Sequence, residues 1–310
     1  MITIFKSSDN GLSHLSEFAP GSWVSAIDPD PAEIALLRDK LGVPEDFIRH
    51  PLDMDERART EKEDGAMLVI LRVPHFVGEA ADLPYVTVPL GIILLDQQVV
   101  TICKTDSSIL RELSSERGRG VRTAKKTQFV LHLLLFTADR FLSYLGDINH
   151  AVDALEDRLQ ASLRNREVLE LLKYQKCLTY FTTALTQNDL LIQRLTSHKL
   201  FHQYPEDEDL LEDAQIEIQQ ALEMTNIASG ILSQMMDAFA SIISNNLNVV
   251  MKFLASATII LALPTLIASV YGMNVGLPLA QHPLAFWGIL LVSVLLAAVT
   301  IMVFIRRDWL

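Results

Sequence analysis

The 310 residues carry 38 acids against 26 bases, a net charge of −12 that argues against a nucleic-acid surface. The two cysteines, Cys103 and Cys177, have neither metal-site spacing nor the numbers for a disulfide framework, which suits a reducing compartment. About 250 residues precede the last apolar segments, enough for one large α/β domain with a helical extension.

Residues 1–110 read as mixed α/β, within a cytoplasmic domain placed at 1–122. Short β-rich runs occur at Ile2–Phe5, Trp23–Ile27, Met67–Val73 and Tyr85–Val88. Leu90–Leu95 and Val99–Lys104 flank Asp96-Gln97-Gln98 as a hairpin would. Ala32–Leu41 has helical periodicity and stops at Gly42. The charged run Asp53–Asp64 reads as a surface connection. The first residues, Met1–Lys6, lack the long apolar core of a signal peptide, so this domain is expected to stay inside.

From Thr123 to residue 204 the pattern becomes helical, with two long helices predicted near 128–163 and 166–200 and a break at Arg164-Asn165. Pro205 opens a third helix, expected to run to Tyr271, and four acids follow it at once (Glu206, Asp207, Glu208, Asp209), as the positive end of a helix dipole favours. Between Leu200 and Met251 there is no Lys or Arg, yet there are nine acids, among them Glu212, Asp213, Glu217, Glu223 and Asp237. Two readings stand for them. They form a solvated helix surface, or packing several such helices concentrates a negative charge that only cations relieve.

Heptad rows mark this helix. Leu211, Ile218, Thr225, Leu232 and Phe239 form one, and Ala214, Ala221, Ala228, Met235 and Ile242 another, spacing that buries a face against other helices of the same chain or of its neighbours. A second pair of rows is polar, small or flexible: Asp237, Ser244, Met251, Thr258 and Thr265, with Ser241, Asn248, Ala255, Ala262 and Ser269. Phe253–Val270 is long enough to cross a bilayer core of about 30 Å, as is Leu284–Ile305. A polar stripe on such a span faces a helix partner or water. In a ring of identical helices it would line an axial channel, with Asp237 at its cytoplasmic end.

The loop 271–283 has no Lys, Arg, Asp or Glu, whereas Lys252 precedes the first span and Arg306 and Arg307 follow the second. The positive-inside rule therefore places 1–252 and the tail 306–310 in the cytoplasm of a multi-pass inner (plasma) membrane protein. Trp287 and Trp309 flank the second span as interfacial aromatics do.

Tyr271-Gly272-Met273-Asn274, just after the first of two C-terminal spans and a long acidic helix, resembles the signature of the CorA family of magnesium channels. Asn248-Val249-Val250-Met251-Lys252 resembles that family's pore entrance, and the likeness is strongest over 205–310. The resemblance implies a membrane protein with an α+β cytoplasmic domain, a long stalk helix and two C-terminal transmembrane helices, assembled as a cone-shaped homopentamer in lipid. It implies a selectivity filter at Gly272, Met273 and Asn274, and a pore lined by Asn248, Met251, Leu254, Ala255, Thr258, Ala262, Thr265 and Ser269. All of these but Leu254 belong to the stripe. It also implies regulatory Mg2+ at Asp213, for which Asp53 and Asp55 are candidate partners.

The expected activity is influx of Mg2+, with Co2+ or Ni2+ as further ions, driven by the membrane potential and gated by internal Mg2+. Mg2+ is then both the transported and the regulatory ion, and no organic cofactor is expected. The alternatives are a zinc or other divalent carrier of the same superfamily, or a membrane-anchored coiled-coil scaffold without a pore. Zinc-type relatives tend to vary the residue corresponding to Met273. Asn274 has a bland reading too, as a turn residue after the helix. Two departures stand out: Val275–Pro283 lacks the family's usual acids, and the C-terminal basic cluster is reduced to two arginines. The chain has no phosphate-binding loop, His-Glu-x-x-His or nucleophile elbow, so neither nucleotide binding nor enzymatic activity is expected.

Overall fold

The computed structural model describes residues 1–8, 11–115, 121–161, 165–197, 201, 205–277, 282–307 and 309. The chain divides into two compact units, Met1–Gln234 and Met235–Leu310.

The first unit is built on a seven-stranded sheet of order β2-β1-β3-β7-β6-β5-β4. The strands are β1 (Ile2–Ser8), β2 (Gly11–Leu15), β3 (Ser22–Ile27), β4 (Arg59–Glu63), β5 (Ala66–Phe76), β6 (Tyr85–Leu94) and β7 (Val99–Cys103). Only β3 and β7 pair in parallel. Near-continuous burial along β3, β6 and β7 explains their unbroken apolar sequences, because the sheet is covered on both faces.

One face packs on α1 (Pro31–Leu41), α2 (Glu45–Arg49) and a 3-10 turn at His50–Leu52, with Leu37, Phe47 and Ile48 fully buried beside Val24, Leu68 and Ile102. Asp30 caps α1 through a reciprocal capping box with Glu33. At the turn the Pro51 ring comes so close to β6 that a Cβ on Gly91 would lie 2.1 Å from it, so only glycine fits there. The other face carries α3 (Ser108–Leu113), α4 (Lys126–Ala161) and α5 (Asn165–Thr196). Trp23 stacks on Phe5 at 4.7 Å, meets Phe129 of α4 at 5.4 Å, and donates its indole N–H to Thr101 at 2.8 Å.

Several elements differ from the sequence reading. The run Asp53–Asp64 is not wholly a connection, because Arg59–Glu63 forms β4 against β5. Its alternation of charged residues suits an edge strand. Tyr85–Val88 and Leu90–Leu95 are one strand despite Pro89. Pro89 opposes Arg72, whose own N–H and C=O are taken by the Asn188 side chain, and lies beyond the β7 ladder, so no donor is required of it. Residues 162–164, in the expected break between α4 and α5, lie outside the described residues, as do 198–200.

The remaining helices are α6 (Pro205–Tyr271) and α7 (Ala285–Arg306). Among the described residues three helices, α4, α6 and α7, are long and apolar enough to cross a membrane. They differ in what covers them. Phe129, Val130, Leu131, Leu133, Leu134 and Phe141 of α4 are fully buried, which makes it a core helix, whereas the apolar parts of α6 and α7 are almost wholly bare.

Candidate functional site: the polar stripe and its terminal loop

The cytoplasmic part of α6 uses one face for its own chain. Leu211, Ala214, Ile218, Ala221, Thr225, Ala228 and Leu232 recur at three- and four-residue spacing and are all buried. Of the two heptad rows, only the C-terminal Ile242 is exposed, at 45%. Along this stretch Gln219, Asn226 and Ser229 of α6 meet Asp189, Thr182 and Gln175 of α5. As far as Leu232, these rows are therefore an intrachain seam.

The polar stripe is different. Asp237, Ser241, Ser244, Asn248, Met251, Leu254, Ala255, Thr258, Ala262, Thr265 and Ser269 are all exposed. The shielded residues of the first span are Ser256, Ala257, Ile260, Leu263, Pro264 and Ile267, which at 3.6 residues per turn lie roughly opposite the stripe. On α7 the shielded positions are Ala285, Ile289, Ser293, Ala297, Thr300 and Phe304. The hairpin thus closes through a seam rich in small residues, as membrane helices do. Near its outer end Ile267 and Tyr271 share an apolar cleft of 350 Å3 with Ala285, Gly288, Ile289 and Val292. Contact with its own α7 does not explain the stripe.

The hydroxyls on the stripe are oriented by the helix itself. Thr258 donates to the Leu254 carbonyl at 2.8 Å, Thr265 to Leu261 at 2.7 Å, and Ser241 to Asp237 at 3.0 Å. Each proton is spent on the backbone, so each oxygen presents lone pairs outward. That polarity suits a cation and its waters.

At the end of α6, Gly272 donates its N–H to the Ala268 carbonyl at 2.9 Å and Met273 donates to Val270 at 3.3 Å, which closes the last turn. A Cβ on Gly272 would sit 3.3 Å from the Ala268 oxygen, tighter than an ordinary contact. Met273 and Asn274 follow, both exposed. Pro278–Gln281 of this loop, and Asp308 and Leu310 of the tail, lie outside the described residues. Trp309 stacks on Phe304 with centroids 5.5 Å apart.

The acidic start of α6 is partly neutralised within the chain. Lys125 donates to Glu206 at 3.1 Å, which with Gln128 holds that carboxyl below its usual range. The buried Asp207 accepts from Thr127 at 3.0 Å. Asp209, Glu212, Asp213, Glu223 and Asp237 are exposed.

Asp53 and Asp55 are exposed also, and the Asp55 N–H donates to the Asp53 carboxylate at 3.1 Å. Their segment is anchored from below by residues the sequence reading passed over. The Arg72 guanidinium donates to the carbonyls of Met54 at 2.7 Å and Glu56 at 3.0 Å, and to the Thr87 carbonyl at 2.6 Å. Burial lowers the Arg72 pKa, and Asp55 and Glu56 oppose that shift. Gln187 accepts the Ala58 N–H at 3.2 Å. The available signal was a lone arginine within the apolar run Met67–Val73. Among the described residues no three His, Cys, Asp or Glu side chains gather as a metal site, and no hydrogen bond or ion pair joins Asp213 to Asp53 or Asp55.

The profile of a family described as CorA-like Mg2+ transporter protein matches residues 20–307. A cobalt/magnesium transport protein CorA from Methanocaldococcus jannaschii is 28% identical over 293 residues, 93% of this chain and 90% of that protein. The complete structure of the CorA magnesium transporter from Methanocaldococcus jannaschii superposes with a TM-score of 0.87 at 26% identity, covering 100% of this chain and 99% of that one. The cytoplasmic domain of ZntB from Vibrio parahaemolyticus matches 78% of this chain and 98% of its own with a TM-score of 0.60, and at 15% identity that likeness concerns the fold alone.

Proposed function

The chain belongs to the family of CorA-like Mg2+ transporter proteins, and from that premise we propose that it is a membrane channel for Mg2+, with Co2+ as a second ion, assembled as a homopentamer around the stripe of α6. The observation that carries this reading is the bare polar stripe, which ends at Tyr271-Gly272-Met273-Asn274 and is turned away from the chain's own second span. One hairpin cannot enclose a pathway. Five copies with their stripes inward would form one lined by hydroxyls, Asn248 and Met251, with α7 outside.

Mg2+ dehydrates reluctantly and usually keeps several waters. A ring of Asn274 amides would grip those waters by their carbonyl oxygens without binding the metal directly, leaving it able to move on. The Thr258 and Thr265 oxygens would repeat this weak contact along the span. With residues 1–252 and the tail in the cytoplasm of the inner membrane, as Lys252, Arg306 and Arg307 favour, the membrane potential drives entry. It supplies about 2.3 kcal/mol per charge per 100 mV, doubled for a divalent ion. Asp213, with Asp53 or Asp55 of a neighbouring subunit, would bind internal Mg2+ and close the channel.

The test is Mg2+ entry into liposomes carrying the purified protein, beside Asn274→Ala. Entry that requires the protein and an inside-negative potential, and that falls at least roughly tenfold in the variant, supports the channel with its filter at the loop. A folded oligomer that admits no Mg2+ with low Mg2+ inside, or a variant that conducts as well as the parent, overturns it.

A further inference from the structure

Within the first unit, the end of the β5–β6 hairpin, α4 and α5 line an open cleft of about 510 Å3 that shares no residue with the stripe. Its size falls in the range of small-molecule sites. Phe76 and Tyr85 are register partners across the hairpin, and Tyr144 of α4 completes a trio of rings with centroids 5.1 to 6.4 Å apart. Tyr174 of α5 closes another side, and Glu79 and Asp147, both exposed, stand on the wall. The described lining contains no Lys or Arg, and its one imidazole, His150, is exposed.

Tyr85 is 8% exposed and lines the cleft, and its hydroxyl, which makes no hydrogen bond among the described residues, is not sealed from solvent but opens into the cleft. Burial, and after it the charge of Asp147, raises the Tyr85 pKa, and Glu79 acts in the same direction on both Tyr85 and Tyr174. With two carboxylates on its wall and no Lys or Arg in its described lining the cleft favours positive charge, although Arg158 acts on Tyr174 in the opposite direction. The two nearby guanidiniums are already engaged. Arg140, 5.6 Å from the Tyr144 ring centroid, pairs with Glu112, and Arg158 lies 3.7 Å from Glu170.

This chemistry narrows the occupant. An anion would meet two carboxylates. A neutral apolar molecule would strip water from them without return. A metal ion would find no set of three ligating side chains and would gain little from aromatic walls. An organic cation suits the rings, the carboxylates and the phenol: rings attract an ammonium and shelter methylenes, the carboxylates pair with its charge, and the Tyr85 oxygen accepts its N–H. We propose that this cleft binds a small linear alkylammonium ion, with its methylenes against Phe76, Tyr85 and Tyr144 and its charge facing Glu79 and Asp147.

The test is calorimetric titration of the full-length protein with 1,4-diaminobutane, in excess Mg2+ to suppress binding to exposed acids. The expected result is one site per chain, weakened roughly tenfold when Glu79→Gln and Asp147→Asn are combined. Tyr85→Phe provides the second arm. Its hydroxyl has no protein partner, so the amine-free melting temperature should equal the parent's while the rise on adding diamine shrinks. Absence of saturable binding at millimolar diamine, or binding unaltered in both sets of variants, overturns the site.

Discussion

Asn188 is fully buried and spends its amide on one residue, accepting the Arg72 N–H at 3.0 Å and donating to the Arg72 carbonyl at 2.7 Å. It continues the ladder where β4 has ended, and the same Arg72 anchors the segment bearing Asp53 and Asp55. Asn188→Leu should therefore strand two backbone groups, at a cost of about 2–4 kcal/mol. The measurement is the thermal midpoint of the full chain, which should fall by several degrees while Gln187→Ala, losing the single bond to Ala58, moves it less. Equal midpoints for parent and Asn188→Leu would show that the amide contributes nothing there. None of this was legible beforehand, because the partners stand 116 residues apart and a polar residue on an amphipathic helix looks like any solvent-facing one. Arg72 was legible as an oddity in an apolar strand, but not its targets.

Among the elements, periodicity revealed most where one face of a long helix meets a uniform environment. The seam Leu211–Leu232 and the stripe Asp237–Ser269 were both readable at seven-residue spacing, and the fold class followed from the order of strands, long helices and paired spans. The environment of each row was not readable, since a face buried against α5 and a bare face produce similar small-residue rows. Elements of five or six residues, such as β2, α2 and β4, were too short for a period to stand out. The stripe's orientation is open to a direct check with Thr258→Cys, because Cys103 and Cys177 are buried and give little background. A short bifunctional thiol reagent should link Thr258→Cys chains into dimers on a denaturing gel, and Ile259→Cys, a quarter-turn away, far less. Equal linking at both positions would remove the stripe from the axis.

For the proposed pentamer, the acids of α6 would set the terms of the proposed regulation. No Lys or Arg occurs from Leu200 to Met251 to offset them, though Glu206 and Asp207 are engaged by Lys125 and Thr127 within the chain. Of the rest, Asp209, Glu212, Asp213, Glu223 and Asp237 are exposed and would repel their copies in neighbouring subunits of the proposed pentamer. Two unit charges at 4 Å interact by about 1 kcal/mol in water and several times that near a protein surface, so five copies would make a lever large enough to shift a conformational equilibrium. Divalent cations between subunits would cancel that repulsion and draw the assembly closed. Their loss would let it splay and conduct, a negative feedback on uptake. Limited proteolysis in a Mg2+ series reads this state directly. The parent should become resistant as Mg2+ rises, and Asp213→Ala should need several-fold more Mg2+ for the same protection. Asp53→Ala and Asp55→Ala, assayed alike, identify the partner acid by which of them shifts the curve with Asp213→Ala. A Mg2+ dependence identical in parent and Asp213→Ala would take that residue out of the sensor and leave the feedback to other acids of the helix.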